Sequence, residues 1–270
     1  MDSQLIYDVG VHVGEDTAFY LARGYRVVGI EADPILAKQL RERFSSDIAK
    51  GTLVLLNVGV GECEGEADFW VSERPLWSSF NKEMACRDGL SCYKVKVPTR
   101  TLQAIFDDQG VPFYCKIDVE GYDMICVESL QLGRVPSYLS MELDAPQGVD
   151  NLRRLQALGY SKFKVISQVT RAQPSRPLMS LACRLPYRGA EYLRGAERNL
   201  RGVTSVDGWR FGGLSSGPFA DETPGRWRSY EDTLGLVSYL ANIEARREQK
   251  GLHDWFDIHA VSECAAAELA

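Results

Sequence analysis

The chain has 270 residues, with 31 Lys and Arg against 37 Asp and Glu, a formal net charge of -6, and 45% hydrophobic residues. That balance is ordinary for a soluble globular α/β protein with a sizeable core, and it excludes a broadly basic nucleic-acid surface. No apolar stretch approaches the ~18 residues needed to cross a bilayer, and Asp2 and Asp8 flank an N-terminal apolar run too short for a secretory signal.

Residues 4–8 read as a buried strand, and 15–23 as a helix stopped by Gly24. A second strand, 26–30, ends in Glu31. Asp33-Pro34 then supplies a cap and a first-turn proline before Leu36, Ala37, Leu40 and Phe44 at helical spacing. Residues 52–57 are a third apolar strand. Such alternation implies a parallel sheet with right-handed crossovers.

The pattern changes between 59 and 99. Residues 67–72 and 94–98 alternate as exposed antiparallel strands do, and 74–93, without a period, reads as a loop. The α/β alternation then resumes with helix 101–109, strand 113–117, helix 123–132, strand 138–143, helix 149–158 and strand 163–168. Residues 171–227 are rich in Arg, Gly, Ser and Pro. A stretch of that length suits a lid or binding segment, with a short helix near 188–200. Ser229 to Asp232 resembles a capping box, followed by Leu236, Val237, Leu240 and Ile243 on one helix face. Gly251 closes that helix, and 255–261 is a last strand. The expected organisation is a core over 1–168, an insertion over 169–231, and a helix and final strand over 232–270 that complete the core.

The seven cysteines (63, 86, 92, 115, 126, 183 and 264) form no Cys-x-x-Cys pair. An odd, unclustered set points to a reducing cytoplasm rather than a disulfide scaffold or zinc site, with Cys115 and Cys126 as buried free thiols.

The first turn carries the first functional signal. A strand, a glycine turn, a helix and a strand ending in an acid form a unit that suits a nucleoside, the acid taking ribose hydroxyls. In Gly10-Val-His12-Val-Gly14, His12 stands where a dinucleotide fingerprint needs its second glycine, and its bulk obstructs a pyrophosphate. Asp8 is also poorly placed to meet an anion. Both features suit a phosphate-free ligand with a cationic end, such as S-adenosylmethionine (SAM). Two tight-turn glycines without a ligand and a merely solvated Glu31 are the alternatives to that reading.

The second signal is Lys116-Ile-Asp118-Val-Glu120-Gly-Tyr-Asp123. Asp118 and Glu120 end a strand, where open α/β sheets place ligand and chemistry. Two carboxylates two residues apart can hold a cation, a substrate hydroxyl or a metal. Favouring the N-terminus of the next helix explains Asp123 well, Glu120 partly and Asp118 poorly.

Four stretches, Tyr7–Thr17, Val28–Pro34, Asn57–Gly61 and Lys116–Asp123, together resemble the FkbM-type family of SAM-dependent methyltransferases over roughly residues 5–145. The departure is at Gly10-Val-His12, where many members carry a small Ala-Asn pair, which leaves the role of His12 open. The resemblance implies a class I methyltransferase fold: a Rossmann-like, mostly parallel seven-stranded sheet with an antiparallel last strand, helices on both faces and an insertion before that strand.

It also implies SAM as cofactor. Asp8, Gly10 and Gly14 then line its methionine end, Glu31 takes the ribose, Asn57 and Val58 edge the adenine, and Asp118 sits at the methyl end. His12, Thr17, Ala32 and Ser78, the last in a loop that closes over the cofactor, complete that set. The implied reaction is methyl transfer to a hydroxyl of a saccharide or secondary metabolite.

Catalytic candidates are Asp118, Glu120 and His12. Substrate candidates are Glu142, Trp209, Ser215, Ser216, Trp227 and His259, of which Glu142 and His259 are also possible bases. A divalent metal on Asp118, Glu120, Glu142 and Asp144 is a further alternative, unsupported by any histidine-rich spacing. So are a NAD-dependent oxidoreductase, a non-catalytic nucleoside-binding module, and an insertion that is only a surface excursion around its own aromatic residues. The expected partner is a small-molecule or saccharide acceptor, with neither nucleic acid nor membrane. The oligomeric state, a homodimer included, stays open.

Overall fold

A computed structural model describes residues 2–143, 147–248 and 252–267. The chain forms two compact units, Met1–Ser137 and Tyr138–Ala270.

In the first unit, β1 (Asp2–Val9) buries every residue from Leu5 to Val9, all of them apolar except Asp8. A strand covered on both faces is buried at successive positions rather than alternate ones. Helix α1 (Glu15–Ala22) ends in a Schellman motif, Tyr25 N–H bonding the Tyr20 carbonyl and Gly24 N–H that of Leu21. Strand β2 (Arg26–Ile30) leads to α2 (Pro34–Arg43), where the Asp33 carboxylate accepts from the amides of Ile35 and Leu36 as its cap spacing predicts. A short helix, α3 (Ser45–Ala49), absent from the sequence reading because none of its residues is buried, precedes β3 (Leu53–Leu56).

A small sheet follows. Strands β4 (Gly59–Val60), β5 (Gly65–Ser72) and β6 (Cys92–Arg100) line up in the order β4-β6-β5, with β5 antiparallel to β6 as expected. Phe69, Val71 and Val97 form its core. The segment between β5 and β6 is not a plain loop: it holds a 3-10 turn (Pro75–Trp77), helix α4 (Lys82–Ala85) capped by Asn81, and a second 3-10 turn (Arg87–Gly89). These elements are too short to show a period.

Cys86 and Cys92 are joined by a disulfide, their Cα atoms 5.4 Å apart. This corrects the expectation that the cysteines form no disulfide, though the other five form none among the described residues, and it weakens the inference of a reducing compartment. The left-handed residues Asp88 and Gly89 reverse the chain between them, which spacing alone does not show.

Helix α5 (Leu102–Gln109), capped by Thr101, and β7 (Pro112–Ile117) match expectation. Helix α6 (Asp123–Glu128) is shorter than the predicted 123–132. The Ser129 hydroxyl donates to the Cys126 carbonyl as the helix ends, and Leu132 is 71% exposed, so its apolar spacing is not a buried face.

The second unit contains β8 (Tyr138–Glu142), α7 (Gly148–Ala157) and β9 (Tyr160–Ser167). The expected insertion is folded: α8 (Arg176–Ala182), α9 (Tyr187–Arg201) and a hairpin of β10 (Ser205–Val206) and β11 (Trp209–Arg210). Ala182, Ala190 and Leu252 form a small core there. Helix α10 (Tyr230–Glu248) starts where the Ser229 hydroxyl accepts from the Asp232 amide. Strand β12 (Phe256–Ser262) runs antiparallel to both β8 and β9 and is followed by α11 (Glu263–Ala266). The proposed helix closure at Gly251 lies outside the described residues, as does Asp144.

The seven main strands are ordered β3-β2-β1-β7-β8-β12-β9, with β1 parallel to β2 and β7, and β2 parallel to β3. This is the mostly parallel sheet with an antiparallel last strand. Among the described residues no helix is long and apolar enough to cross a membrane.

Candidate active site

Parallel registry places Asp8 of β1 beside Lys116 of β7. The Lys116 ammonium lies 3.3 Å from Asp8 Oδ1, 3.4 Å from Asp16 Oδ2 and 3.3 Å from Asp118 Oδ2. Burial alone lowers a lysine pKa; here Asp8, Asp118 and Asp16 together outweigh it and hold Lys116 well above its ordinary value. Burial pushes the Asp8 carboxyl up, against the pull of Lys116 and of the Thr17 hydroxyl, which donates to Asp8 Oδ2 at 2.6 Å. Asp8 and Thr17, both expected at the cofactor, are thus fully buried and partnered with side chains of the protein. Three carboxylates around one ammonium leave the cluster negative, and Asp118, with 48% of its side chain exposed, carries that charge to the surface.

The turn after β1 explains its glycines. A Cβ on Gly10 (φ +84°) would sit 1.9 Å from the Asp118 carbonyl oxygen, and one on Gly14 (φ +81°) 2.6 Å from the Phe44 ring. Both positions need a glycine for close approach as well as for φ. His12 is also left-handed, at φ 52°. Its backbone N–H donates to Glu31 Oε2 at 2.8 Å, and its half-buried ring has a lowered pKa, chiefly from burial, with Asp118 opposing.

Glu31 is held from two sides. Its Oε2 accepts from His12 and its Oε1 from the Asp33 amide, also at 2.8 Å, while burial raises its pKa to about 7. Asn57 Nδ2 ties down the same turn by donating to the carbonyls of Glu31 and Ala32. Val58 is half-buried beside it in sequence, and Ala32 packs against the small-sheet core.

Glu120 follows the end of β7 with φ 26°, and Gly121 with φ 80°. A left-handed glutamate is a strained backbone position of the kind that gathers at functional sites. Burial pushes its carboxyl up to about 7, against Arg87, whose Nη2 lies 3.5 Å from Glu120 Oε2. The Ser79 hydroxyl donates to the Glu120 carbonyl at 2.9 Å. Its neighbour Ser78, expected at the cofactor, accepts from the Ser72 amide. Lys116, Asp16, Ser79 and Arg87 were missed by the sequence reading. For Lys116 a signal existed, a lone lysine inside an apolar strand; Arg87 and Ser79 lie in a segment without pattern.

The substrate candidates all belong to the second unit. Lys164 Nζ donates to the carbonyl and hydroxyl oxygens of Thr223 at 2.8 and 2.9 Å and lies 4.4 Å from the centre of the Trp227 ring. Burial lowers its pKa to about 8. Trp227 Nε1 and the Tyr138 hydroxyl both donate to the Asp221 carboxylate. Trp227 therefore clamps the insertion to the strands of its own unit.

His259 faces Lys164 and Ser140 in register and is 2% exposed. Neither ring nitrogen has a hydrogen-bond partner among the described residues. Burial, aided by Lys164, pushes its pKa down to about 3. An imidazole so placed is not a base near neutral pH, which corrects that expectation. Glu142 is half-buried opposite Asp257, Trp209 lies half-buried in the small hairpin, and Ser215 accepts from the Gly217 amide in a turn shared with Ser216.

The family model described as the Methyltransferase FkbM domain matches residues 8–162, more than half of the chain and all of the Asp8, Glu31 and Asp118 framework. The chain belongs to the FkbM methyltransferase family. Among solved structures, the FkbM methyltransferase of Methylobacillus flagellatus KT is 19% identical, covering 52% of this chain but only 33% of its own, with a TM-score of 0.35. Precorrin-6y C5,15-methyltransferase of Geobacter metallireducens GS-15 is 10% identical over 97% of this chain and 82% of its own, TM-score 0.37. A SAM-dependent methyltransferase of Thiobacillus denitrificans, in complex with S-adenosyl-L-homocysteine, is 11% identical over 97% and 86%, TM-score 0.35. No curated protein matches.

The residues of this FkbM methyltransferase fit SAM, the family's cofactor. Each Glu31 oxygen accepts one backbone N–H and keeps a second lone pair, which suits two adjacent ribose hydroxyls. The negative Lys116 cluster ending in half-exposed Asp118 suits a cationic sulfonium.

Proposed function

We propose that this FkbM methyltransferase methylates a hydroxyl oxygen of a saccharide or secondary metabolite, with Glu120 as the base and Asp118 beside the methyl end of SAM. Bound SAM supplies a methyl group made electrophilic by its sulfonium. The protein supplies the rest. Glu31 anchors the ribose and so sets where the methyl group lies, and positioning of this kind is worth about 7–11 kcal/mol of barrier. Asp118 favours a cation at its carboxylate. Glu120 takes the acceptor proton, which becomes acidic only as the oxygen–carbon bond forms.

The supporting observation is the Glu120 carboxyl raised to about 7, two residues from half-exposed Asp118. A base with a pKa near the working pH combines a populated ionised form with useful proton affinity. His12, neutral near pH 7, is the second candidate.

Calorimetry with SAM, S-adenosylhomocysteine and NAD, followed by transfer of labelled methyl to a panel of hydroxyl, amine and carbon acceptors, tests the reading. NAD binding without a response to SAM sinks it, and transfer only to amines or carbon sinks the oxygen assignment. Glu120→Gln should retain SAM binding and lose turnover by at least about a hundredfold, the lower end of general-base contributions.

A further inference from the structure

The segment between β5 and β6 rests on the 118–122 turn through four contacts within the first unit. Ser79 donates to the Glu120 carbonyl, and the Phe80 ring lies 5.3 Å from the Tyr122 ring centre. The Met84 side chain comes to 3.8 Å of where a Gly121 Cβ would be, and Arg87 meets the Glu120 carboxylate. Of these four residues, Arg87 alone brings charge to that carboxylate. Its guanidinium also stacks on the Trp77 ring at 3.9 Å, with Arg74 at 4.5 Å from the same ring.

Arg87 is the first residue inside the small loop that the Cys86–Cys92 bridge closes. Asp88 and Gly89, both left-handed, turn the chain straight after it. The bridge thus pins the backbone from which Arg87 reaches Glu120. Both cysteines are half-buried, so a small dithiol has access from solvent.

We propose that Arg87 is a positioning residue for Glu120, held in place by the Cys86–Cys92 bridge, so that the redox state of this bridge sets how readily Glu120 gives up and takes a proton. The proposal rests on Glu120 being the base. A dithiol reductant breaks the sulfur–sulfur bond by delivering two electrons and two protons, leaving two cysteine thiols and the reductant's own cyclic disulfide. The freed loop then no longer fixes Arg87. Arg87 and Asp118 are the charges acting on the Glu120 carboxyl, Arg87 favouring its ionised form and Asp118 opposing it. Ser79, Phe80 and Met84 are uncharged. Loss of Arg87 therefore shifts Glu120 toward its protonated form.

The test is the titration of Glu120 in the full chain, followed by carbon NMR of labelled glutamate side chains and assigned with Glu120→Gln. In the oxidised protein the inflection should lie about one pH unit below that of Arg87→Met, in line with the effect of a nearby opposite charge. Cys86→Ser/Cys92→Ser should titrate like Arg87→Met. Dithiothreitol should move the native protein to the same place and leave the double variant unmoved. Arg87→Lys, keeping the charge, should restore most of the native position. Identical titration in native protein and Arg87→Met overturns the proposal, as does a native protein with measured free thiols and an unmoved Glu120. The expected shifts, seen together with full hydroxyl methylation by Glu120→Gln, leave Arg87 as the group that positions Glu120 and overturn only the base assignment.

Discussion

Lys116 Nζ and Asp118 Oδ2 lie 3.3 Å apart at the end of β7, and the same ammonium reaches Asp8 Oδ1, 108 residues away in sequence, at 3.3 Å. Side chains two apart on an extended chain share a face, so one lysine joins the buried floor of the site to its half-exposed rim. Lys116→Met should destabilise the protein by about 3–5 kcal/mol, because it leaves buried carboxylates uncompensated. Urea unfolding measures this, and a loss under about 1 kcal/mol refutes the role.

Glu31 makes cofactor binding depend on pH. Its folded pKa is about 7, and hydroxyls that donate to it need the ionised form. Affinity for S-adenosylhomocysteine should therefore be highest above pH 7 and fall as pH drops through 7, approaching tenfold per unit. Calorimetry between pH 5.5 and 8.5 shows this, and Glu31→Gln should bind more weakly and lose the dependence. A flat profile in the native protein removes Glu31 from the ribose.

Gly10 and Gly24 share φ +84° but differ in surroundings, since a Cβ on Gly24 meets nothing within 4 Å. Gly24→Ala should cost about 1–2 kcal/mol, the strain of a left-handed residue alone. Gly10→Ala must also push the Asp118 carbonyl away, so it should cost more and depress turnover. Equal losses in stability and unchanged turnover count against the close approach.

His259 should make the protein acid-sensitive. Its folded pKa of about 3 lies below the ordinary 6.5, so below pH 6.5 the unfolded chain binds a proton that the folded chain refuses. Its contribution to stability is fully present above 6.5 and is lost as pH falls toward 3, by about 1.4 kcal/mol per unit. Between pH 7 and pH 5 the native protein should lose about 2 kcal/mol more than His259→Leu in urea unfolding. Parallel losses in the two proteins contradict the buried neutral imidazole.

The order of the seven main strands and of the helices between them except α3, the Asp33 cap, the Gly24 stop and the acid after β2 were legible in the amino-acid sequence. Each depends on neighbours within a few residues, through apolar period, capping or a required φ. The four matching stretches likewise carried the family and its cofactor. The tertiary structure decided who meets whom. Parallel registry set Lys116 between Asp8 and Asp118, and the folding of 74–93 over the β7 turn brought Arg87 to Glu120. The insertion spent Trp227 on Lys164 and Asp221, and the sheet buried His259 without a hydrogen-bond partner among the described residues. Charge pairing and burial depend on distances in space between residues far apart in the chain, and those distances exist only once the sheet order is set.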